Sequence, residues 1–204
     1  MASLGILGGT FNPPHVGHLV CAQDALAQLQ LDRVLLVPVA SPPHKPLPDD
    51  PGPDVRLDLC RRAAEGDERL EVSELEIRRG GQSYTVDTLE ELHASRPEDE
   101  LTFIAGGDMA ASLPEWRDPE RILQLARFAV AEREGSERAV VEPLTASLRG
   151  RQNIVFFDMP RLDVSSSMIR RRVAGGRAIR WLVPDAVAEE IAARGLYRSA
   201  VTAR

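Results

Sequence analysis

Gly8-Gly9-Thr10-Phe11-Asn12-Pro13-Pro14-His15-Val16-Gly17-His18 follows a short apolar run, residues 4–7, and leads into an Ala-rich apolar stretch, residues 19–31. The first run reads as a β-strand and the second as a helix, so the quoted residues form a strand-to-helix turn. A glycine pair at the end of a strand lets the backbone turn tightly and lets a ligand approach it closely. The helix that follows aims its unpaired N–H groups and positive end at that place, which favours phosphate. His15 and His18, three apart, fall on one side of the first turn. The stretch reads as a seat for the phosphates of a nucleotide.

Outside this turn the chain alternates. Further strands are expected at 33–39, 70–77, 101–105, 128–131 and 154–157, with helices at 55–64, 86–94, 119–126 and 140–148. Asp118-Pro119 and Val183-Pro184-Asp185 read as starts of shorter helices, with Pro near the first turn. This order predicts an α/β fold, a Rossmann-like doubly wound parallel sheet with helices on both faces. At 204 residues one domain over 1–204 is the economical division, its last few residues a frayed tail. Residues 41–53 hold six prolines in thirteen positions and cannot continue a helix or a central strand. Alternation resumes beyond them, so they are expected to form a long loop at the ligand-binding edge, not a domain linker.

Composition narrows the functional class. Hydrophobic content is 43%, and no stretch has the length of a membrane span. The N-terminus lacks a basic region followed by a long apolar stretch, so no signal peptide is expected. Cys21 and Cys60 sit in expected helices and suggest no disulfide framework. A cytoplasmic address without a membrane partner follows, and a homo-oligomer is compatible with it. The net charge of −6 argues against a general nucleic-acid binder. Residues 161–180 nevertheless hold six arginines against one acid, Asp163, a patch that suits a small polyanion. Within it Arg171, Arg172 and Arg177 read mainly as solvated helix positions. Trp181 reads as packing.

Several residues carry chemistry. His15, His18 and Cys21 lie on one helical face, and His with Cys suits zinc. Against zinc, no acidic or cysteine-rich motif offers a clear fourth ligand, and Cys21 between Val20 and Ala22 reads as a small core residue. Ser165-Ser166-Ser167 before an apolar-periodic run reads as a helix cap, with Arg170 on the first turn aimed at the same anion. Asp108, after a strand and the pair Gly106-Gly107, suits ribose hydroxyls or a helix cap. Lys45, in the proline-rich loop, suits a substrate phosphate or solvent. Trp116 stands among polar neighbours in an aromatic-poor chain, and its face suits stacking on a flat heteroaromatic ring. Tyr84 and Thr85 open the helix expected at 86–94, so their N–H groups face a carboxylate well. There is no Gly-x-x-x-x-Gly-Lys-Ser/Thr, and no Gly-x-Gly-x-x-Gly after the first strand, which argues against a P-loop NTPase and a dehydrogenase.

The opening stretch, with its His-x-Gly-His core, resembles the signature of the adenylyl- and cytidylyltransferase superfamily, and Gly-Gly-Thr-Phe-x-Pro-x-His-x-Gly-His resembles its nicotinate-mononucleotide branch. Residues 83–89, the segment 103–108 with Trp116 beyond it, residues 165–170, and 181–187 ending near Leu196-Tyr197 match further blocks in the same order. The resemblance implies adenylyl transfer from ATP to nicotinate mononucleotide, giving deamido-NAD and pyrophosphate, with Mg²⁺ carried by the ATP phosphates. It implies that His15, His18 and Arg170 act in catalysis. ATP would lie on Gly8, Gly9, Thr10, Phe11, His15, His18, Gly106, Asp108, Ser166, Ser167 and Arg170. The acceptor would meet Lys45, Tyr84, Thr85 and Trp116, with Arg133 similar to an arginine on the nucleotide side. Two positions depart from the pattern: Ser167 stands for a usual Thr, and Arg117 for a second aromatic. Class I aminoacyl-tRNA synthetases share the His-x-Gly-His logic, but this chain is too short and lacks a Lys-Met-Ser-Lys-Ser-like segment. A nucleotide sensor without catalysis and, more distantly, an RNA binder through the basic patch are the readings from other classes.

Overall fold

Leu4 and Ile6 point to one face of the first strand and Leu7 to the other, and all are buried. A strand that is apolar on both faces belongs in the middle of a parallel sheet. In the computed structural model, which describes residues 2–42, 49–133 and 137–198, that is where it lies. The elements run β1 (Ser3–Gly9), α1 (Val16–Gln28), β2 (Arg33–Pro38), α2 (Pro53–Ala64), β3 (Leu70–Val72), α3 (Leu75–Arg79) and α4 (Thr85–Ser95). There follow β4 (Glu100–Gly106), α5 (Gly107–Ala111), α6 (Pro119–Leu125), β5 (Arg127–Glu132), α7 (Glu137–Thr145), β6 (Ile154–Asp158), α8 (Ser166–Ala174) and α9 (Asp185–Ala193). Short 3-10 turns occupy Leu113–Glu115 and Arg151–Asn153.

The sheet order is β3-β2-β1-β4-β5-β6, and every pairing is parallel. The chain winds outward from β1 to β3, then returns to β1's other side through β4. Ligands in such sheets bind where the winding reverses, beyond the carboxyl ends of the strands. Here that place is the gap between β1 and β4, directly before the turn to α1.

Two apolar layers flank the sheet. Leu4, Ile6, Phe103 and Phe128 pack with Leu89 of α4, Ile122 of α6 and Val141 of α7. On the other face Leu7, Leu36 and Ile104 pack with Ala22, Ala25 and Leu26 of α1. A third cluster joins Leu59 of α2, Ile169 of α8, and Val187 and Ile191 of α9. Through it α8 is held beside the β1–α1 turn. Among the described residues no helix is long and apolar enough to cross a membrane.

Three expectations need correction. Residues 70–77 are not one strand: β3 stops at Val72 and α3 begins at Leu75. The Ser73 hydroxyl accepts the Leu75 N–H at 3.3 Å, a local bond that turns the chain out of the sheet. The first helix starts at Val16, not 19, because His15 caps it. Trp181 does not pack inside. It is 74% exposed, has a left-handed backbone (φ +69°), and carries the Arg180 guanidinium 4.6 Å above its ring. The expected tail falls on residues outside the described ones.

Candidate active site

His15 has extended backbone (φ −148°, ψ 170°) and is the N-cap of α1. Its N–H donates to Nδ1 of His18 at 3.2 Å, and the two rings stack with centroids 3.8 Å apart. Phe11 props this arrangement from below. It is fully buried, has a left-handed backbone (φ +48°), and meets the His18 ring edge-on at 4.9 Å. A neutral imidazole whose Nδ1 accepts must carry its proton on Nε2. Burial, and secondarily the charge of Arg133, lowers His15 to about 4. Burial and then His15 hold His18 well below its ordinary value. Both histidines are neutral near pH 7, and Nε2–H of His18 is a donor. Nδ1 of His15 is buried without a hydrogen-bond partner. One first-turn donor of α1 is already taken, since Val16 N–H bonds the Leu182 carbonyl at 3.0 Å.

In front of the pair, between the ends of β1 and β4, lies a cavity of about 290 Å³. Gly8, His15, His18, Gly106 and Arg133 line it, and Met159, Leu162 and Val164 form an apolar wall. A side chain on Gly8 would only touch the Phe103 ring at 3.5 Å, so the protein leaves that position open toward the cavity. A side chain on Gly9 would press the Phe11 ring at 3.1 Å. The two glycines therefore have different reasons: Gly8 clears the cavity and Gly9 seats Phe11. Phe11 itself has no exposed surface, so its part is played through His18. A wider groove of about 530 Å³, beside α7 and β6 with Glu142, Arg151 and Phe156, contains none of the residues singled out by sequence.

The second cluster arrives from α8. Ser165 caps the helix, its Oγ accepting Met168 N–H at 3.2 Å. Ser166 Oγ donates to the Pro13 carbonyl at 2.7 Å, and Arg170 Nη1 donates to the Asn12 carbonyl at 2.8 Å. Arg170 Nε lies 3.6 Å from Asp49 Oδ2. The sequence thus brings both clusters together, with α8 fastened to the turn that carries the histidines. Ser167 is exposed beside them. Asp108 is exposed on the first turn of α5, whose N-cap is Gly106, so its helix-cap reading fails. Arg133 donates its N–H to Glu137 Oε2 at 2.8 Å and reaches the cavity edge. Lys45 lies outside the described residues. Of the basic stretch, Arg172 bonds the Ala178 carbonyl at 2.8 Å, Arg161 pairs with Asp163, and Arg171 and Arg177 are exposed.

On the other side of β4, Tyr84 is the N-cap of α4 and Thr85 its first residue. Trp116 leaves the 3-10 turn 113–115 and meets Phe103 and Phe128 edge-on, at 5.9 and 5.8 Å. Its Nε1–H donates to Ser112 Oγ at 3.0 Å. Its polar sequence neighbours argue against a core ring. The turn swings it inward instead, and it ends half-buried against apolar side chains. Phe103 also lines the cavity, so Trp116 and the histidines are linked through one ring.

Sequence reasoning missed the buried charges of Arg56 and Glu76. Arg56 of α2 is fully buried. Its Nη1 donates to the carbonyls of Thr10 (3.0 Å) and Val39 (2.7 Å), Nη2 to Ala40 (3.1 Å), and Nε to Asp50 Oδ1 (2.9 Å). Ala40 N–H in turn bonds Ser83 Oγ at 3.0 Å, next to Tyr84. One guanidinium so ties the histidine turn to the start of α4. Its signal was a charge three residues from Leu59 and four from Cys60, on the buried face of a helical pattern. Glu76 of α3 is buried, accepts from Thr88 Oγ1 at 2.6 Å, and is pushed up by burial against the bonds from Ser83 and Thr88. Cys21 is a buried thiol, raised to about 12 by burial. Among the described residues no group of three His, Cys, Asp or Glu side chains converges to hold a metal.

Comparison with known proteins places this geometry. The profile of the Cytidylyltransferase-like family matches residues 6–172. The probable nicotinate-nucleotide adenylyltransferase of Shouchella clausii is 41% identical over 197 residues, covering 97% of each chain. That of Roseiflexus sp. is 44% identical over 199 residues, covering 97% of this chain and 98% of its own. Among solved structures, Plasmodium falciparum nicotinic acid mononucleotide adenylyltransferase complexed with NaAD shares the fold at a TM-score of 0.77, with 17% identity and 97% and 98% coverage. A histidine pair at a parallel sheet's switch point, matched over nearly the whole length, makes the chain a nucleotidyltransferase of the cytidylyltransferase-like family, in its nicotinate-nucleotide adenylyltransferase branch.

Proposed function

We propose that the enzyme joins ATP and nicotinate mononucleotide. A phosphate oxygen of the mononucleotide attacks the α-phosphorus of ATP, the bond to the β-phosphate oxygen breaks, and deamido-NAD and pyrophosphate form. The observation that carries this reading is the oriented pair: the His15 N–H holds Nδ1 of His18 and thereby leaves Nε2–H as a donor at the cavity. Such a donor suits the oxygens of an α-phosphate, where the transition state gathers charge. Nicotinate-nucleotide adenylyltransferase is the name of the relatives at 41–44% identity, which supports the choice of acceptor.

The nucleophile is a phosphate monoester, whose second pKa is about 6. It is an anion near neutral pH and needs no general base, which agrees with two neutral histidines. Burial opposes their protonation. Bound polyphosphate favours the charged form and works against that penalty. Ser166, Ser167 and Arg170 would stand at the nucleotide's phosphates, with Gly8, Gly9, Thr10 and Phe11 shaping the turn beneath. Gly106 and Asp108 would meet its ribose side, and Arg133 the cavity edge. Tyr84, Thr85, Trp116 and Lys45 would receive the mononucleotide. Mg²⁺ would come on the ATP phosphates, as the resemblance implies, held mainly by phosphate oxygens and water.

The test is an acceptor panel. Pyrophosphate release from ATP with Mg²⁺ should be fastest with nicotinate mononucleotide, slower with nicotinamide mononucleotide, and absent with phosphopantetheine. Release with phosphopantetheine alone would replace the acceptor. Nucleotide binding without any turnover would make the chain a sensor.

A further inference from the structure

Trp116 and Arg117 pass from the 3-10 turn 113–115 toward the first turn of α4. The Arg117 guanidinium lies over the Tyr84 ring, 4.9 Å from its centroid, and Nη1 donates to Asp87 Oδ2 at 3.2 Å. Asp87 belongs to the first turn of α4, two residues beyond Thr85. A carboxylate there stabilises a helix by facing its positive end. It also sets a negative charge within one turn of the Tyr84 and Thr85 amides. An unpaired Asp87 would repel an incoming carboxylate and leave a neutral carboxamide almost unaffected.

The neighbouring cations are engaged elsewhere. Arg79 bonds Glu91 and Thr88, and Arg121 bonds Glu90. Buried Glu76, bonded to Thr88, adds no positive charge. Among the described residues Arg117 is the cation paired with Asp87.

We propose that Arg117 is a specificity-determining residue, which by neutralising Asp87 beside the start of α4 keeps the acceptor end receptive to an anionic ring substituent. The inference rests on the reading of Tyr84 and Thr85 as that acceptor end. Both side chains of the pair are partly exposed, so solvent and salt screen the effect to a modest factor.

A charge cycle tests it. Catalytic efficiency is measured at low ionic strength with nicotinate and nicotinamide mononucleotides for the wild-type chain, Arg117→Gln, Asp87→Asn and the double variant. Arg117→Gln should lower efficiency with the acid by roughly two- to fivefold and leave it nearly unchanged with the amide. Asp87→Asn alone should keep or raise the acid-to-amide ratio, and the double variant should restore it. A purely structural hold on Tyr84 would depress both acceptors alike and would not be rescued by Asp87→Asn. An unchanged ratio in Arg117→Gln, or one that the double variant fails to restore, overturns the inference while leaving the enzyme's assignment intact. A wild-type chain that adenylylates neither acceptor overturns the proposed function and this inference together.

Discussion

The backbone N–H of His15 and Nδ1 of His18 are 3.2 Å apart, so the cap of α1 decides which His18 nitrogen faces the cavity. An Nε2–H donor set in this way acts on charge that develops during transfer, where differential stabilisation raises turnover. His18→Ala should lower kcat by about a hundred- to a thousandfold. ATP binding, followed by calorimetry, should weaken far less. Near wild-type turnover in the variant would remove His18 from the chemistry.

The same burial makes stability depend on pH. His15 is held near 4 against an ordinary 6.5. Between those values the unfolded chain binds more protons than the folded one, so this contribution is complete above about pH 6.5 and is lost as pH falls toward about 4. Glu76, raised by burial, runs the opposite way: its contribution is present at low pH and lost as pH rises through its folded value. The useful quantity is therefore a difference between chains that both keep Glu76. Wild type should lose more melting temperature than His15→Asn between pH 7 and 4.5. Parallel losses would show that His15 is not buried neutral.

Gly8 and Gly9 should fail differently. Alanine at Gly8 makes only an ordinary contact with Phe103, so the fold should melt like wild type while nucleotide binding weakens. Alanine at Gly9 meets the Phe11 ring at 3.1 Å and should destabilise the chain by about 1–3 kcal/mol. Calorimetry with and without ATP separates the two. Equal behaviour would contradict the distinct roles.

Arg56 holds Thr10, Val39, Ala40 and Asp50 from within the core. Arg56→Met strands a carboxylate and three carbonyls at once, and should cost about 3–5 kcal/mol in chemical denaturation. Asp50 is a quarter exposed, which favours the lower end. A loss under about 1 kcal/mol would mean that water replaces the guanidinium freely.

Much of this architecture was legible because it depends on period and punctuation. Apolar strands separated by amphipathic stretches gave the sheet, and Gly8-Gly9 with His15 and His18 marked its switch point. What stayed hidden depends on contacts between distant segments. Residues 70–77 look like one alternating strand until the break in phase between Val72 and Leu75 is noticed, and Ser73 supplies the bond that ends it. The polar neighbours of Trp116 argue against a core ring, yet a short turn brings it edge-on against Phe103 and Phe128. Trp181 shows the reverse: apolar in type and placed next to Leu182, it is held outward by a left-handed backbone. The pairing of Arg117 with Asp87 spans thirty residues, and no local pattern announces it.

The most direct measurement is the fate of isotope in ATP. With nicotinate mononucleotide and Mg²⁺, label at the α-phosphorus should appear in the dinucleotide product and label at the γ-phosphorus in pyrophosphate, with both transfers slowed together by about a hundred- to a thousandfold in His18→Ala. Label from the γ-position in the acceptor, or α-label confined to ATP, ADP and AMP, would contradict adenylyl transfer.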